Sequence, residues 1–337
     1  MLPKIGNVPF NNRVFLAPMA GVTDLIFRRF ARKMGCALTY TEFVSAAGIY
    51  FSPDKQERHL AMDADEHPVA VQIFGNNLEQ LVYAAKLVED LGADIVDINM
   101  GCPVPKVVAQ GAGAALLKNP KRIAEIIRAV KAAVKIPVTL KTRSGWDKGN
   151  INILEVARIA AEEGAAAIAL HPRTRSMGHA GKPDWTIIAE VKRAVSVPVI
   201  GNGGIESPQD ALAMLNETGC DFVMIGSATM GDFWLLKQTI HYLATRELLP
   251  DLTYEERIKA AIDHSREHCA YWGEPQGPKQ MRKYFGTYLK GFPGAAELRR
   301  RLNAALTFLE IETILMECDA QIHSIESSSI VKCVSSW

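Results

Sequence analysis

Several common signatures are missing from this chain of 337 residues, and each absence excludes a class of protein. Its six cysteines form no CxxC pair, so the sequence indicates neither a zinc ribbon nor a disulfide framework. The N-terminal segment MLPKIGNVPF has no apolar stretch behind a charged start, and no run is long enough to cross a membrane. We therefore expect a reducing, cytoplasmic location.

Neither sign of charge is in excess. Lys and Arg number 38 against 37 Asp and Glu, so a polyanionic partner would have to bind a local basic patch. Because 48% of the residues are hydrophobic and 22% charged, the chain can bury one large core and a smaller second one.

Short apolar or β-branched runs alternate with segments of helical periodicity. The eight predicted strands cover 14–18, 37–43, 69–74, 95–100, 138–143, 167–172, 197–203 and 222–227. The predicted helices cover 24–34, 77–90, 120–133, 151–163, 185–194, 207–217 and 230–243, whereas 45–60 is unclear. Eight such units predict an α/β fold, a (β/α)8 TIM barrel. A doubly wound sheet is the alternative, but its glycine fingerprint is missing after the first strand, which continues as APMAGVTD.

Beyond residue 243 only helical patterns remain, over 253–271, 277–290 and 294–317. We therefore expect a catalytic barrel over 1–243, a smaller all-α domain over 244–320 and a loosely ordered, serine-rich tail over 321–337. His264 and His268 stand one helical turn apart beside Cys269, but without further ligands we interpret them as an ordinary helix face, not a metal site.

Polar residues or glycines stand at the ends of nearly all predicted strands, where barrels place their sites. They are Pro18, Met19, Ala20, Gln72, Asn99, Lys141, Arg143, His171, Asn202, Gly203, Gly204, Gly226 and Ser227. Taken singly, each is an ordinary loop or rim residue, but together they would be costly in a barrel that binds nothing polar. The glycines after the last two strands can offer N–H groups to a phosphate. A long ligand such as flavin mononucleotide (FMN) would then also reach Lys141 and Gln72.

Cys102 follows a strand end in NMGCPVPKVVAQGAGAALL, residues 99–117. A cysteine with an ordinary pKa is mostly protonated at neutral pH, so its thiol can donate a proton to a carbanion formed by hydride transfer. A nucleophilic role is less favoured because the loop holds no evident base, and a small packing residue is the remaining alternative.

These motifs resemble the tRNA-dihydrouridine synthases, nearest to the bacterial B-type branch, over roughly residues 3–317. The resemblance is carried by APMAGVTD, EFVSAAG, VQIFG, DINMGCPVPKVVAQGAGAALL, KTRSGW, HPRTRSMGHAGKPDW and GNGGIESPQDA. It implies an FMN-containing barrel that reduces the C5–C6 double bond of selected tRNA uridines, with NADPH or NADH as hydride donor. It also implies that Cys102 gives the proton to C5 after flavin N5 has given hydride to C6, and that Asn99 holds the uracil edge.

The flavin contacts that the resemblance implies are Pro18, Met19, Ala20, Gln72, Lys141, His171, Asn202, Gly203, Gly204, Gly226 and Ser227. The chain departs from the family pattern at Ser227, where arginine is common, and at Gly204, where aspartate is frequent. Met177 and His179 also replace the more usual residues in SMGHAG, so details of the flavin and tRNA contacts are expected to differ.

A uridine inside folded tRNA must leave its stack to reach a barrel mouth, so cationic groups are needed to hold the surrounding backbone. Residues 279–301 contain seven Lys or Arg against one acid, and we expect Lys279, Arg282 and Lys283 to contact tRNA. Aromatic residues between them suit stacking on bases; the alternative is an amphipathic helix with buried aromatics. In the mouth loops we expect Lys106, Arg143, Arg173 and Arg175 to contribute.

The expected partner is thus tRNA, with no membrane and no metal ion, and the protein is expected to be a monomer. Two other functions remain possible from the sequence. One is a flavin barrel acting on a small pyrimidine, as dihydroorotate dehydrogenases do, and the other is an RNA-binding protein whose barrel has lost catalysis.

Overall fold

The computed structural model describes residues 2–318, so the tail expected over 321–337 lies outside them. The chain divides into two compact units. The first comprises Met1–Ala228 and Leu235–Leu248, and the second comprises Thr229–Trp234 and the residues from Leu249 onward. Over residues 2–318, no helix is both long and apolar enough to span a bilayer.

The first unit is built on parallel strands. They are β1 (Val14–Leu16), β2 (Thr39–Tyr40), β3 (Val44–Ser45), β4 (Val69–Phe74), β5 (Ile95–Met100), β6 (Val138–Arg143), β7 (Ala167–His171), β8 (Val199–Asn202) and β9 (Phe222–Ile225). Their order in the sheet is β1-β9-β8-β7-β6-β5-β4-β2, and β3 extends the pairing of β4. A parallel bridge between Phe15 and Leu38 joins the two ends. The predicted (β/α)8 TIM barrel is therefore confirmed.

Helices follow the strands along the chain. In the first unit they are α1 (Leu25–Lys33), α2 (Ala46–Phe51), α3 (Glu57–Leu60), α4 (Leu78–Asp90), α5 (Pro105–Val108), α6 (Pro120–Ala133), α7 (Ile153–Glu162), α8 (Trp185–Ala194), α9 (Pro208–Thr218) and α10 (Trp234–Thr245). The second unit contains α11 (Tyr254–Trp272), α12 (Gln276–Tyr288) and α13 (Ala295–Ala304). The unclear interval 45–60 forms α2, a 3-10 helix and α3, and the predicted strand over 37–43 shrinks to the two residues of β2.

The barrel interior changes from apolar to polar along the strands. At the amino-terminal end, the rings of Phe15 and Phe222 stack with centroids 4.4 Å apart, and Phe10 packs against both. Small residues such as Ala167 and Ala169 continue this core. Polar side chains occupy the carboxyl-terminal part, which is the end where TIM barrels carry their sites.

A buried ion pair attaches α1 to the barrel. Arg28 and Glu66 are 1% and 2% exposed, and their side chains pair directly. The guanidinium of Arg28 also donates to the carbonyls of Thr23 and Ala61 at 2.9 and 2.6 Å. Thr39 on β2 donates to the carboxylate of Glu66 at 2.9 Å. Because every charged group in this cluster has a partner, the cluster is tolerated inside the fold.

The aromatic residues of α12 form the core of the second unit. Tyr284 and Phe285 are fully buried and Tyr288 nearly so, as is Phe292 in the loop after the helix. The expectation that they stack on bases is therefore wrong, because these rings are used to pack helices together. The amphipathic-helix alternative describes them correctly.

The predicted helix over 294–317 is interrupted. Helix α13 ends at Ala304, and helical residues resume over 308–318. Thr307 restarts the helix, because its hydroxyl accepts from the Glu310 N–H at 3.2 Å while the Glu310 carboxylate accepts from the Thr307 N–H at 3.2 Å. This reciprocal pair is a capping box, and the letters TFLE carry its signature.

Candidate active site

Inward-facing polar side chains from neighbouring strands meet at the carboxyl-terminal end of the barrel. Gln72, Asp97 and Thr139 are direct partners across β4, β5 and β6. One layer further, Asn99 stands opposite Lys141. Since residues two apart on a strand face the same side, these five side chains share the interior.

A chain of hydrogen bonds connects this polar layer to the Cys102 loop. The carboxylate of Asp97 accepts from Thr139 Oγ1 at 2.5 Å and from Gln72 Nε2 at 2.6 Å. Gln72 Oε1 in turn accepts from Asn99 Nδ2 at 2.8 Å. Asn99 Oδ1 then accepts from the Cys102 N–H at 2.9 Å. Burial raises the pKa of Asp97 to about 6, although the Gln72 and Thr139 hydrogen bonds oppose the rise.

The loop after β5 places Cys102 against apolar neighbours. Its side chain is 8% exposed and packs with Phe74, Val107 and Ala112. Gly113 lies so close that a Cβ there would be 2.8 Å from the Cys102 carbonyl oxygen. Burial raises the pKa of the Cys102 thiol, so the group is protonated at neutral pH. The thiol can therefore serve as an acid, and the loop does not activate it as a nucleophile.

Lys141 is the ammonium group at the centre of the site. It is half-buried, and no hydrogen-bond or ion-pair partner is found for it over residues 2–318. Burial, together with the nearby charge of Arg143, lowers its pKa to about 8, although the charge of Asp97 opposes the fall. A positive group held half-buried without a partner is suited to an anionic ligand.

His171 at the end of β7 is held in its neutral form. Burial and the surrounding cations Lys141, Arg143 and Arg173 lower its pKa to about 2. Arg173 Nη1 lies 2.8 Å from His171 Nε2. Because a guanidinium can only donate, Nε2 accepts and the ring proton is on Nδ1. His171 is therefore a neutral group with one N–H to offer.

The glycines after β8 pass close to this ring. Gly203 has a φ of +102°, and a Cβ there would lie 2.5 Å from His171 Cδ2. Trp185 Nε1 donates to the Gly203 carbonyl at 3.0 Å, which fixes the loop. Gly204 has a φ of +78° and lies against Pro183, while Asn202 donates to the Met224 carbonyl at 2.8 Å. Glycine is required at both positions, because each has a positive φ and a Cβ there would collide with His171 or Pro183.

The loops after β1 and β9 lie next to each other because these strands pair. Pro18 and Met19 are partly buried and Ala20 is exposed. The hydroxyl of Thr23 receives the Met19 N–H at 3.0 Å and so orders this turn. A Cβ on Gly226 would lie 3.7 Å from Met19 Sδ, and the following Ser227 is exposed.

The four cations expected at the mouth differ in their surroundings. Lys106 on α5 is exposed. Arg173 is half-buried and donates to the Gly181 carbonyl, and the guanidinium of Arg175 lies 4.7 Å from the ring centroid of Trp146. Arg143 is only 4% exposed.

Arg143 connects two loops of the site. It donates to the carbonyl of Gly101 at 2.9 Å, and to those of Thr174 and Gly178 at 3.1 and 2.7 Å. Its guanidinium therefore ties the Cys102 loop to the loop after β7. In this structure it acts on the protein's own backbone.

The second unit carries exposed cations on α12. Lys279 and Arg282 are exposed, and neither has a hydrogen-bond or ion-pair partner over residues 2–318. Lys283 is partly buried, donates to Gln280 Oε1 at 2.9 Å and lies 5.0 Å from the Tyr284 ring centroid. Over residues 2–318, no group of three or more His, Cys, Asp or Glu is arranged to hold a metal ion.

Asp97 and Thr139 were missed by the sequence analysis. Their signal is the alternation within IVDINM and VTLKTR, in which polar residues occupy every second position of otherwise apolar strands. Considering only the ends of the strands finds Gln72, Asn99 and Lys141 but overlooks Asp97 and Thr139, which lie beside Gln72.

Comparison with known proteins places this geometry in context. The family model described as "Dihydrouridine synthase (Dus)" matches residues 15–323. The chain is 40% identical to tRNA-dihydrouridine synthase B of Pseudomonas aeruginosa, over 96% of this chain and 94% of that protein. It is 39% identical to the protein of the same name from Vibrio vulnificus, over 92% of this chain and 97% of that protein. It is also 41% identical to probable tRNA-dihydrouridine synthase 1 of Synechocystis, over 89% of this chain and 84% of that protein.

Proposed function

The chain belongs to the dihydrouridine synthase family, and from this premise we propose that it reduces the C5–C6 double bond of uridines in tRNA to 5,6-dihydrouridine. The observation that carries the proposal is the position of Cys102 in the loop directly after β5, next to β6, whose Lys141 has no hydrogen-bond or ion-pair partner over residues 2–318. The proposed place of action is the cytoplasm.

The residues of the mouth fit FMN. Lys141 offers an ammonium group that lacks a partner over residues 2–318, and the turn at Gly203 and Gly204 is proposed to offer backbone N–H groups to the phosphate. Pro18, Met19, Ala20, Asn202, Gly226 and Ser227 complete the proposed set of contacts, together with Gln72 and His171. When bound, the flavin supplies the hydride, which a reduced nicotinamide nucleotide, NADPH or NADH, delivers to it.

The hydrogen bonds already present limit what the amides can give a ligand. Gln72 uses Oε1 and one N–H within the protein, so its second N–H is available to an acceptor on the ring edge. Asn99 likewise uses its oxygen for the Gly101 and Cys102 N–H groups and one hydrogen for Gln72. Asn99 can therefore hold uracil only by donating its remaining N–H to a pyrimidine carbonyl.

Cys102 supplies the proton to C5. Its raised pKa keeps the proton on sulfur until hydride addition to C6 has made C5 strongly basic. Lys141 keeps its charge at neutral pH, because its pKa of about 8 is still above 7, and this charge favours an anionic form of the ring. His171 stays neutral and adds no charge to the site.

For the RNA, we propose contacts to phosphates by cations of both units. Lys279, Arg282 and Lys283 on α12 are proposed to serve in the second unit, and Lys106, Arg173 and Arg175 in the barrel; Lys106, Lys279 and Arg282 are exposed and the other three are partly buried. Arg143 is assigned to the protein's own loops because its donors meet three carbonyls. Contacts of this kind make affinity fall with salt and carry no sequence preference.

The decisive experiment separates the two half-reactions. Cys102→Ala should leave the bleaching of bound FMN by NADPH close to the parent rate, while dihydrouridine formation in unmodified tRNA falls by about a hundredfold or more. Cys220→Ala removes another buried thiol of the same unit and should leave both half-reactions unchanged. Equal tRNA reduction by parent and Cys102→Ala would exclude Cys102 as the acid.

Two further experimental results would contradict the proposed function and favour a different one. Reduction of a free pyrimidine base without RNA would assign the barrel to small substrates. A protein that takes up no FMN and still retards tRNA in a gel would be an RNA-binding protein without catalysis.

A further inference from the structure

We propose that Asp97 is a positioning residue, whose carboxylate sets the amide orientations of Gln72 and Asn99 and thereby holds the backbone of the Cys102 loop. Asp97 is fully buried and lies one layer below Asn99, and over residues 2–318 its side-chain hydrogen bonds are to Gln72 and Thr139, not to the loop. The inference rests on the proposed function only because that function makes Cys102 the proton donor.

The groups at the two ends of the hydrogen-bond chain determine how the amides of Gln72 and Asn99 are oriented between them. A carboxylate can only accept, so the group of Gln72 that faces Asp97 must be its amide NH2. Gln72 Oε1 therefore faces Asn99 and requires the NH2 of that residue. Asn99 Oδ1 is then left to face the Cys102 N–H, which can only donate. Turning either amide over would bring donor against donor at one contact.

Asp97 imposes this direction at one end of the chain, as the Gly101 and Cys102 N–H groups do at the other. Gln72 and Asn99 are both buried, so a reversed amide would leave an unsatisfied donor without water to compensate. Without an acceptor at position 97, the buried NH2 of Gln72 loses its partner whenever Gln72 Oε1 faces Asn99. The orientation that gives Asn99 its two hydrogen bonds to the loop is then less favourable than in the parent.

Two substitutions separate orientation from charge. Asp97→Asn keeps an oxygen toward Gln72 and turns its NH2 toward Thr139, whose hydroxyl accepts as well as it donates. Asp97→Leu offers no acceptor at all. Both remove the negative charge near Cys102, so any resulting change in thiolate fraction is common to the two variants.

The test is the alkylation rate of Cys102 by iodoacetamide in the purified full chain, followed on the Cys102 peptide by mass spectrometry. Loosening the loop should raise the rate in Asp97→Leu by roughly threefold to tenfold over Asp97→Asn, the range that one or two lost hydrogen bonds represent. If Cys102 is alkylated at the same rate in Asp97→Leu and in Asp97→Asn, the proposal is wrong.

A matched control and a second variant keep the test decisive. Thr218→Val removes another buried hydrogen-bonding group, in α9, and should leave the Cys102 rate at the parent value. If Asp97→Leu does not fold, Gln72→Met breaks the same chain at its middle and should give the same rise. No rise in Gln72→Met would likewise refute the role of the chain. Where both variants fold, their combination should exceed neither alone, because they break one connected unit.

This readout is independent of the proposed reaction. Alkylation requires neither flavin nor RNA, so a protein that failed to reduce tRNA would still report whether Asp97 holds the loop. Conversely, an unchanged alkylation rate would leave the tRNA-reduction proposal standing and remove only the role of Asp97.

Discussion

Replacing Gly203 by alanine tests whether the turn after β8 is shaped by its approach to His171. The φ of +102° disfavours any side chain, and the new Cβ would lie 2.5 Å from Cδ2 and 2.7 Å from Nε2 of His171. The turn cannot simply move away, because Trp185 holds the Gly203 carbonyl at 3.0 Å. The imidazole must therefore shift from its 2.8 Å contact with Arg173.

The loss of stability expected for Gly203→Ala is the sum of two contributions, which can be measured separately. A positive φ costs alanine about 1–2 kcal/mol. The displaced ring loses a hydrogen bond to a charged group, worth about 1.5–3 kcal/mol. Gly219→Ala isolates the first cost, because Gly219 has a φ of +69° and a Cβ there would meet nothing within 4 Å. Gly203→Ala should thus unfold more easily than Gly219→Ala by about 2 kcal/mol.

Thermal unfolding and FMN titration provide the assay. For a unit of this size, about 2 kcal/mol corresponds to roughly 4–8 °C in Tm, which is readily measured. Gly203→Ala should also bind FMN at least about tenfold more weakly, whereas Gly219→Ala should bind as the parent does. If the two variants shared one Tm and one FMN affinity, the close approach to His171 would play no part.

Three other outcomes are expected. Arg28→Met leaves a buried carboxylate unpaired and should lower the free energy of unfolding by about 3–5 kcal/mol in urea titrations. Lys279→Glu combined with Arg282→Glu should weaken tRNA binding and reduce its salt slope by about two, whereas Arg158→Glu, an exposed barrel position, should change neither. Because folding raises the pKa of Asp97 to about 6, the free energy of unfolding falls as pH rises from about 4 to about 6. Asp97→Asn should therefore be more stable than the parent at pH 7, by up to about 3 kcal/mol, and should show no advantage at pH 3.

The barrel could be predicted because apolar strand patterns and helical periodicity alternate repeatedly along the sequence. The bounds of β4, β5, β6, α6 and α8 agree with the sequence prediction residue for residue. Where the chain does not repeat this pattern, as over 45–60, local periodicity was too short to distinguish helix from loop.

Most of the polar residues in the candidate site could be predicted from the sequence, but Asp97 and Thr139, which lie beside the predicted Gln72, could not. Asn99 and Lys141 could be found because strand ends have a fixed place in a barrel. Asp97 could be placed only by knowing which residues lie across from each other on neighbouring strands, since its partners come from 25 and 42 positions away in the chain. Burial of Arg143 was equally hidden, because its three acceptors are backbone carbonyls that have no sequence signature.

That reliance on carbonyls has a consequence for how the molecule can diverge. Every amino acid presents the same carbonyl, so the hydrogen bonds that Arg143 makes to Thr174 and Gly178 do not depend on the side chains at 175–177. Substitutions at these three positions can therefore change the surface of the loop while Arg143 continues to join it to Gly101, next to Cys102. Gly178 itself is excluded from this freedom, because its φ of +56° disfavours a side chain.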